Sequence, residues 1–61
     1  MLRTRRNVIH DLNNHLAGIK LAVDFLEGVN ENNKDVLEII HKIQRAIRES
    51  VELIDELNNV D

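Results

Sequence analysis

Six apolar residues, Ile9, Leu12, Leu16, Ile19, Val23 and Leu26, follow one another at alternating steps of three and four. That spacing repeats every seven residues and gathers the side chains on one stripe of an α-helix. Leu2 extends one row a heptad upstream, and Val8, Ala22 and Val29 widen the stripe beyond a two-stranded seam. A second stretch carries the same pattern. Ile40, Ile47 and Ile54 form one row, and Val36, Ile43, Ser50 and Leu57 the other. Leu37 and Val51 flank it on one side; Ile39, Ala46, Leu53 and Val60 flank it on the other. An apolar face this broad calls for more than one partner helix.

Between the patterns lies Gly28-Val29-Asn30-Glu31-Asn32-Asn33. Gly28 suits a left-handed helix C-terminus. Asn32 or Asn33 suits the N-cap of the next helix, with Asp35 near its positive dipole end. The reading is one domain over residues 1–61: helix one about 3–28, a turn about 29–33, helix two about 34–60. The fold class is all-α, an antiparallel two-helix hairpin. Two helices leave one side of the seam open to water, and the simplest closure is a second copy, a homodimeric four-helix bundle. The surface offers ordinary helix pairs: Lys20 with Asp24, Lys34 with Glu38, Glu38 with Lys42, Arg45 with Glu49, Arg48 with Glu52.

Composition removes several function classes. With no cysteine there is neither a disulfide framework nor a thiolate metal site. Phe25 is the only aromatic residue, too few for a nucleic-acid stacking platform. A net charge of −3 argues against a phosphate-backbone binder. No apolar run approaches a membrane span, and Leu2 is followed at once by Arg3, Thr4, Arg5 and Arg6, which is no signal peptide.

With Ile9 on the seam, His10, Asp11 and Asn14 point away from it, and His10 and Asn14 lie one turn apart on the same outer face. An outward imidazole is mostly neutral and nucleophilic at pH 7. The stretch Val8-Ile9-His10-Asp11-Leu12-Asn13-Asn14-His15-Leu16 resembles the H-box of sensor histidine kinases, in its His-Asp-Leu-Asn-Asn version. The resemblance runs down helix one through Ile19 to Leu26; helix two matches in length and pattern only. The corresponding module is the dimerisation and histidine-phosphotransfer domain, itself a helical hairpin that dimerises. One departure stands out: the usual proline is His15. Helix one should therefore run straighter below the site, without a proline hinge.

The resemblance implies roles. His10 is the phosphoacceptor, attacking the γ-phosphate of ATP and passing the phosphoryl group to an aspartate on a response-regulator receiver domain. Asp11 accepts a hydrogen bond, or the proton, from the other ring nitrogen, although adjacent helix residues do not naturally face each other. Asn14 holds a water in line for attack on the receiver's phospho-aspartate. Asn13 falls at the bundle edge, a structural place. His10 and His15 are five apart, off the four-residue step of a helical metal pair, so no metal site is expected. His15 reads as a packed, hydrogen-bonded histidine beside the seam, and His41 as solvated. Ala17, Gly18, Leu21 and Phe25 lie at outer positions below His10; an exposed Leu and Phe beside two small residues make a docking patch for the receiver. The alternative is that Leu21 and Phe25 fill gaps in a wider bundle.

No Gly-rich nucleotide loop is present. The chain therefore reads as the phosphotransfer part of a kinase, a phosphate acceptor and not an autokinase by itself. ATP and Mg²⁺ belong to a separate ATP-binding domain of the same kinase, with no cofactor in this chain. Arg3 to Arg6 lead towards a sensor or signalling helix, and Asp61 towards the ATP-binding domain. The expected partners are a second copy, that domain and the receiver, with neither nucleic acid nor direct membrane contact; the expected location is the cytoplasm, as a soluble kinase or the cytoplasmic part of a membrane-bound sensor. The competing reading is a non-enzymatic bundle dimer, an oligomerisation module or a small RNA-binding protein. RNA would want one basic face, whereas Lys42, Arg45 and Arg48 are interleaved with Glu38, Glu49 and Glu52. A dedicated phosphotransferase between two receivers is a further alternative.

Overall fold

The computed structural model describes residues 3–60; the expected seam position Leu2 and the C-terminal Asp61 lie outside them. Two α-helices, α1 (Arg5–Val29) and α2 (Lys34–Asn58), pack against each other as a hairpin. Local chemistry sets both starts. Thr4 keeps an extended backbone, and its hydroxyl accepts from the Asn7 N–H at 3.1 Å, so α1 begins after Thr4 rather than at residue 3. The Asn33 side chain accepts from the Val36 N–H at 3.2 Å and caps α2, with Asp35 in its first turn.

Gly28 does not end α1. It remains helical, and among the described residues none has a positive φ. Asn30 closes the helix instead. Its side-chain amide donates to the Leu26 carbonyl at 2.8 Å and its backbone N–H donates to the Glu27 carbonyl at 3.3 Å. The last carbonyls thus gain donors without a left-handed residue. The Asn33 N–H then donates to the Asn30 carbonyl at 2.9 Å, tightening the reversal.

The core is one row from each helix. Val23, Ile40 and Ile47 are buried together, with Leu16, Val36 and Leu37 packed around them, and Ile9 is buried towards the other end. Most of the second row of each helix stays outside, Val36 excepted. Leu12, Ile19 and Leu26 on α1 and Ile43 and Leu57 on α2 remain exposed, with Ile39 and Leu53 beside them. The molecule measures 46 × 20 × 13 Å, little more than one helix thick in its shortest direction. Its radius of gyration of 14.5 Å exceeds the roughly 10.5 Å of a compact domain this long. Its accessible surface is 5294 Å², about 1,200 Å² more than a folded monomer of this mass usually exposes.

The two flanks of the hairpin differ in kind. One is a chain of polar contacts bridging the helices. Lys20 Nζ donates to Asp24 Oδ2 at 2.7 Å, and Gln44 Nε2 donates to Asp24 Oδ1 and Glu27 Oε1, each at 3.1 Å. His41 Nε2 lies 3.1 Å from Glu27 Oε2. The Asp24 carboxyl is held below its ordinary pKa, first by the hydrogen bond from Lys20; desolvation opposes it as the next largest effect, and the Lys20 charge and the Gln44 hydrogen bond add smaller lowering effects. His41, expected to be only solvated, is therefore an inter-helix partner. Of the expected surface pairs, Lys20–Asp24 forms; the other four do not close to ion-pair distance among the described residues. The opposite flank is the apolar one formed by Leu12, Ile19 and Leu26 with Ile43 and Leu57.

Candidate functional site

Ile9 fixes the orientation of its neighbours. Its side chain is buried against α2, and each helical step turns about 100°. His10 therefore projects outward, with its side chain 74% exposed. Asn14 follows one turn later on the same face. Its amide Nδ2 lies 3.5 Å from His10 Nδ1. The Asp11 Oδ1 is 3.8 Å from the same ring nitrogen, inside ion-pair range but beyond a hydrogen bond. Both contacts engage Nδ1. Among the described residues nothing hydrogen-bonds Nε2, the nitrogen at the far side of the ring.

A ring arranged in this way can act as a nucleophile. Its Nδ1 edge faces a carboxylate and an amide; with the proton on Nδ1 and the Asn14 amide turned to present its oxygen, Nε2 holds the free lone pair and is open to a reactant. Asp11 has a second partner that the sequence did not signal, since Arg3 pairs its guanidinium with Asp11 Oδ2. Arg3 reads in the sequence as part of the segment that leads towards a sensor or signalling helix; the structure pairs it with the acid beside the histidine.

Ala17, Gly18, Leu21 and Phe25 continue down the same outer face, all of them exposed. Leu21 keeps 71% of its surface and Phe25 69%, and α2 covers neither. From His10 to Phe25 this face runs about 22 Å. The hairpin itself gives no reason for Gly18. A Cβ added there meets nothing within 4 Å, and its φ is not positive. Helix-interior glycine costs about 1 kcal/mol relative to alanine.

His15 departs from expectation. It lies beside the exposed seam and is itself exposed, with no hydrogen-bond partner among the described residues. Asn13 lines a shallow groove with Ile9, Ile54 and Asn58 on the polar flank. Among the described residues no three His, Cys, Asp or Glu side chains gather as a metal site, and no helix is long and apolar enough to cross a membrane. The polar bridge of Asp24, Glu27, His41 and Gln44 is the other feature missed in the sequence. Its only signal is that Asp24/Glu27 and His41/Gln44 are each three apart and flank the same turn. Comparison with protein-family models, with curated proteins and with solved structures gives no match to this chain.

Proposed function

We propose that this chain is the dimerisation and phosphoacceptor domain of a two-component sensor histidine kinase. His10 takes a phosphoryl group and passes it to a response-regulator aspartate. The observation that carries the reading is the His10 ring: outward-facing, approached at Nδ1 by the Asn14 amide and the Asp11 carboxylate, with Nε2 open. In the forward step Nε2 attacks phosphorus while Asp11 faces the ring nitrogen that becomes more acidic. Asn14, one turn away, is in reach of a water beside the same position and would serve phospho-aspartate hydrolysis. The ATP-binding domain of the same kinase supplies ATP and Mg²⁺, in the cytoplasm where ATP and receivers meet.

The second copy covers the apolar flank. The excess surface of about 1,200 Å² is comparable with one partner's share of a stable interface. Leu12, Ile19, Leu26, Ile43 and Leu57 supply self-complementary apolar rows for a two-fold contact. The receiver docks on Ala17, Gly18, Leu21 and Phe25. That patch lies off the dimer flank and leads up to His10, and Gly18 permits a close backbone approach that nothing inside the hairpin uses.

The test is phosphoryl transfer. The chain is incubated with a phosphorylated receiver, or with an isolated kinase ATP-binding domain and ATP. Acid-labile, alkali-stable phosphate is then measured on the wild type and on His10→Ala. Label on the wild type that disappears in the variant is the expected result. An intact dimer that takes no label from any donor would count against the phosphoacceptor reading and favour a plain bundle.

A further inference from the structure

We propose that Arg3 is a positioning residue for His10 that acts through Asp11, holding one carboxylate oxygen so that the other faces the Nδ1 edge of the ring. The inference rests on the phosphoacceptor reading and adds to it a residue outside the motif. The geometry is a short chain of groups. The Arg3 guanidinium pairs with Asp11 Oδ2, Asp11 Oδ1 lies 3.8 Å from His10 Nδ1, and Asn14 Nδ2 reaches the same nitrogen at 3.5 Å.

Asp11 needs such a holder. Consecutive helix residues diverge by about 100°, so an aspartate next to a histidine does not face it by default. An exposed carboxylate also samples several rotamers. Fixing Oδ2 leaves Oδ1 as the oxygen available to the ring. Arg3 can do this because it precedes the Thr4 cap and is not confined to the helix surface. Its long side chain reaches Asp11 from outside α1. Arginine suits the task, since its fork binds carboxylates directionally and keeps its charge at any working pH.

The pairing also defines what Asp11 does. A guanidinium on one oxygen favours the ionised carboxylate. When Nε2 attacks phosphorus with the proton on Nδ1, the tautomer in which the Asn14 amide presents its oxygen and not Nδ2 to that edge, the ring becomes positively charged. An ionised, pre-aimed Asp11 stabilises that charge as it develops, without itself taking the proton. With phosphoramidate as donor, the Nε2 lone pair forms the new N–P bond. The donor's own P–N bond breaks, and its electron pair leaves on ammonia. The Nδ1 proton stays on the ring opposite Asp11 and is later released to water.

The experiment uses the chain as it stands, with phosphoramidate as the probe. The initial rate of acid-labile labelling is measured against pH for wild type, Arg3→Ala, Arg3→Lys, Asp11→Asn and the Arg3→Ala/Asp11→Asn double variant. The Asp11 carboxyl is followed by carbon NMR in wild type and Arg3→Ala, and helicity by circular dichroism. Arg3→Ala should slow labelling about two- to fivefold, the range available to an exposed charge pair. Arg3→Lys should recover part of the rate. The Asp11 titration should move to higher pH in Arg3→Ala with helicity unchanged, and Arg3→Ala should have no further effect on top of Asp11→Asn. Labelled wild type with Arg3→Ala indistinguishable from it, or with the same loss in the Asp11→Asn background, overturns the role of Arg3 and leaves the phosphoacceptor reading standing. No difference in label between wild type and His10→Ala overturns both.

Discussion

Shortening Ile19 to alanine should weaken association of two copies while shortening Leu21 should not. Ile19 lies on the apolar flank and keeps 48% of its surface in the hairpin. Burying a whole isoleucine side chain is worth roughly 1.5–3 kcal/mol, so the exposed half holds about 0.7–1.5 kcal/mol in each chain. A two-fold contact counts that twice. Alanine retains part of the area, which leaves a loss of about 1–2 kcal/mol per dimer, or about five- to thirtyfold in dissociation constant. Leu21 is the control. It is more exposed than Ile19, at 71%, but sits on the outer face with His10. If exposure alone drove association, Leu21→Ala would weaken it more; if the apolar flank drives it, Leu21→Ala leaves it unchanged. Sedimentation equilibrium over a wide concentration range measures both. A wild type that stays monomeric throughout, or a Leu21→Ala loss as large as that of Ile19→Ala, would refute the assignment of the dimer face.

Ile40 is 3% exposed at the centre of the small core, so Ile40→Ala should cost about 2–5 kcal/mol and abolish most helicity at 25 °C, read by circular dichroism. Gly18→Ala should raise stability by about 1 kcal/mol, because its added methyl meets open space; thermal melts should show this while transfer to a receiver slows. Acid should loosen the hairpin through Asp24. Its folded pKa is depressed, so its contribution is present above the unfolded value near about 3.9 and is lost as pH falls through the folded value. Asp24→Asn should flatten that acid limb in pH-dependent melts.

The helical rows were legible because burial here follows a single periodicity. Ile9, Leu16 and Val23 against Ile40, Ile47 and Ile54 is a seven-residue register read in opposite directions. Gly28 misled because glycine is only one way to end a helix. Asn30, two residues on, satisfies the carbonyls of Leu26 and Glu27 by itself. The polar bridge was not legible because each member looks like an ordinary surface residue. Gln44 becomes a partner of Asp24 and Glu27 only once the rotation of both helices is fixed, and heptad rows alone do not fix it. The same holds for His41. At the site, the outward placement of His10 and Asn14 follows from the helical step. The pairing of Arg3 with Asp11 depends on the path of the chain before Thr4, which no periodicity describes.

The two flanks also bear on the chemistry. His10 is aimed by Ile9, and Ile9 is aimed by its burial against α2. Only Ile9, Val23, Ile40 and Ile47 are buried among the described residues, so the hairpin alone gives that anchor little support. Chains this small are marginal unless something further is added. The polar bridge pins the helices near the turn, through residues 24–27 and 41–44, whereas His10 sits towards the opposite end. In the proposed dimer, support for that end comes from covering Val8, Leu12 and Leu57, which are exposed in the hairpin. A ligand that binds only the folded form stabilises it by mass action, and in the proposed dimer the second copy is such a ligand. Dilution should therefore fray the His10 end of α1 before the turn end, and the rate of phosphoryl uptake should fall with the dimer fraction. Uptake that is independent of chain concentration through the dimer dissociation range would separate the two and place the anchoring of His10 within the single hairpin.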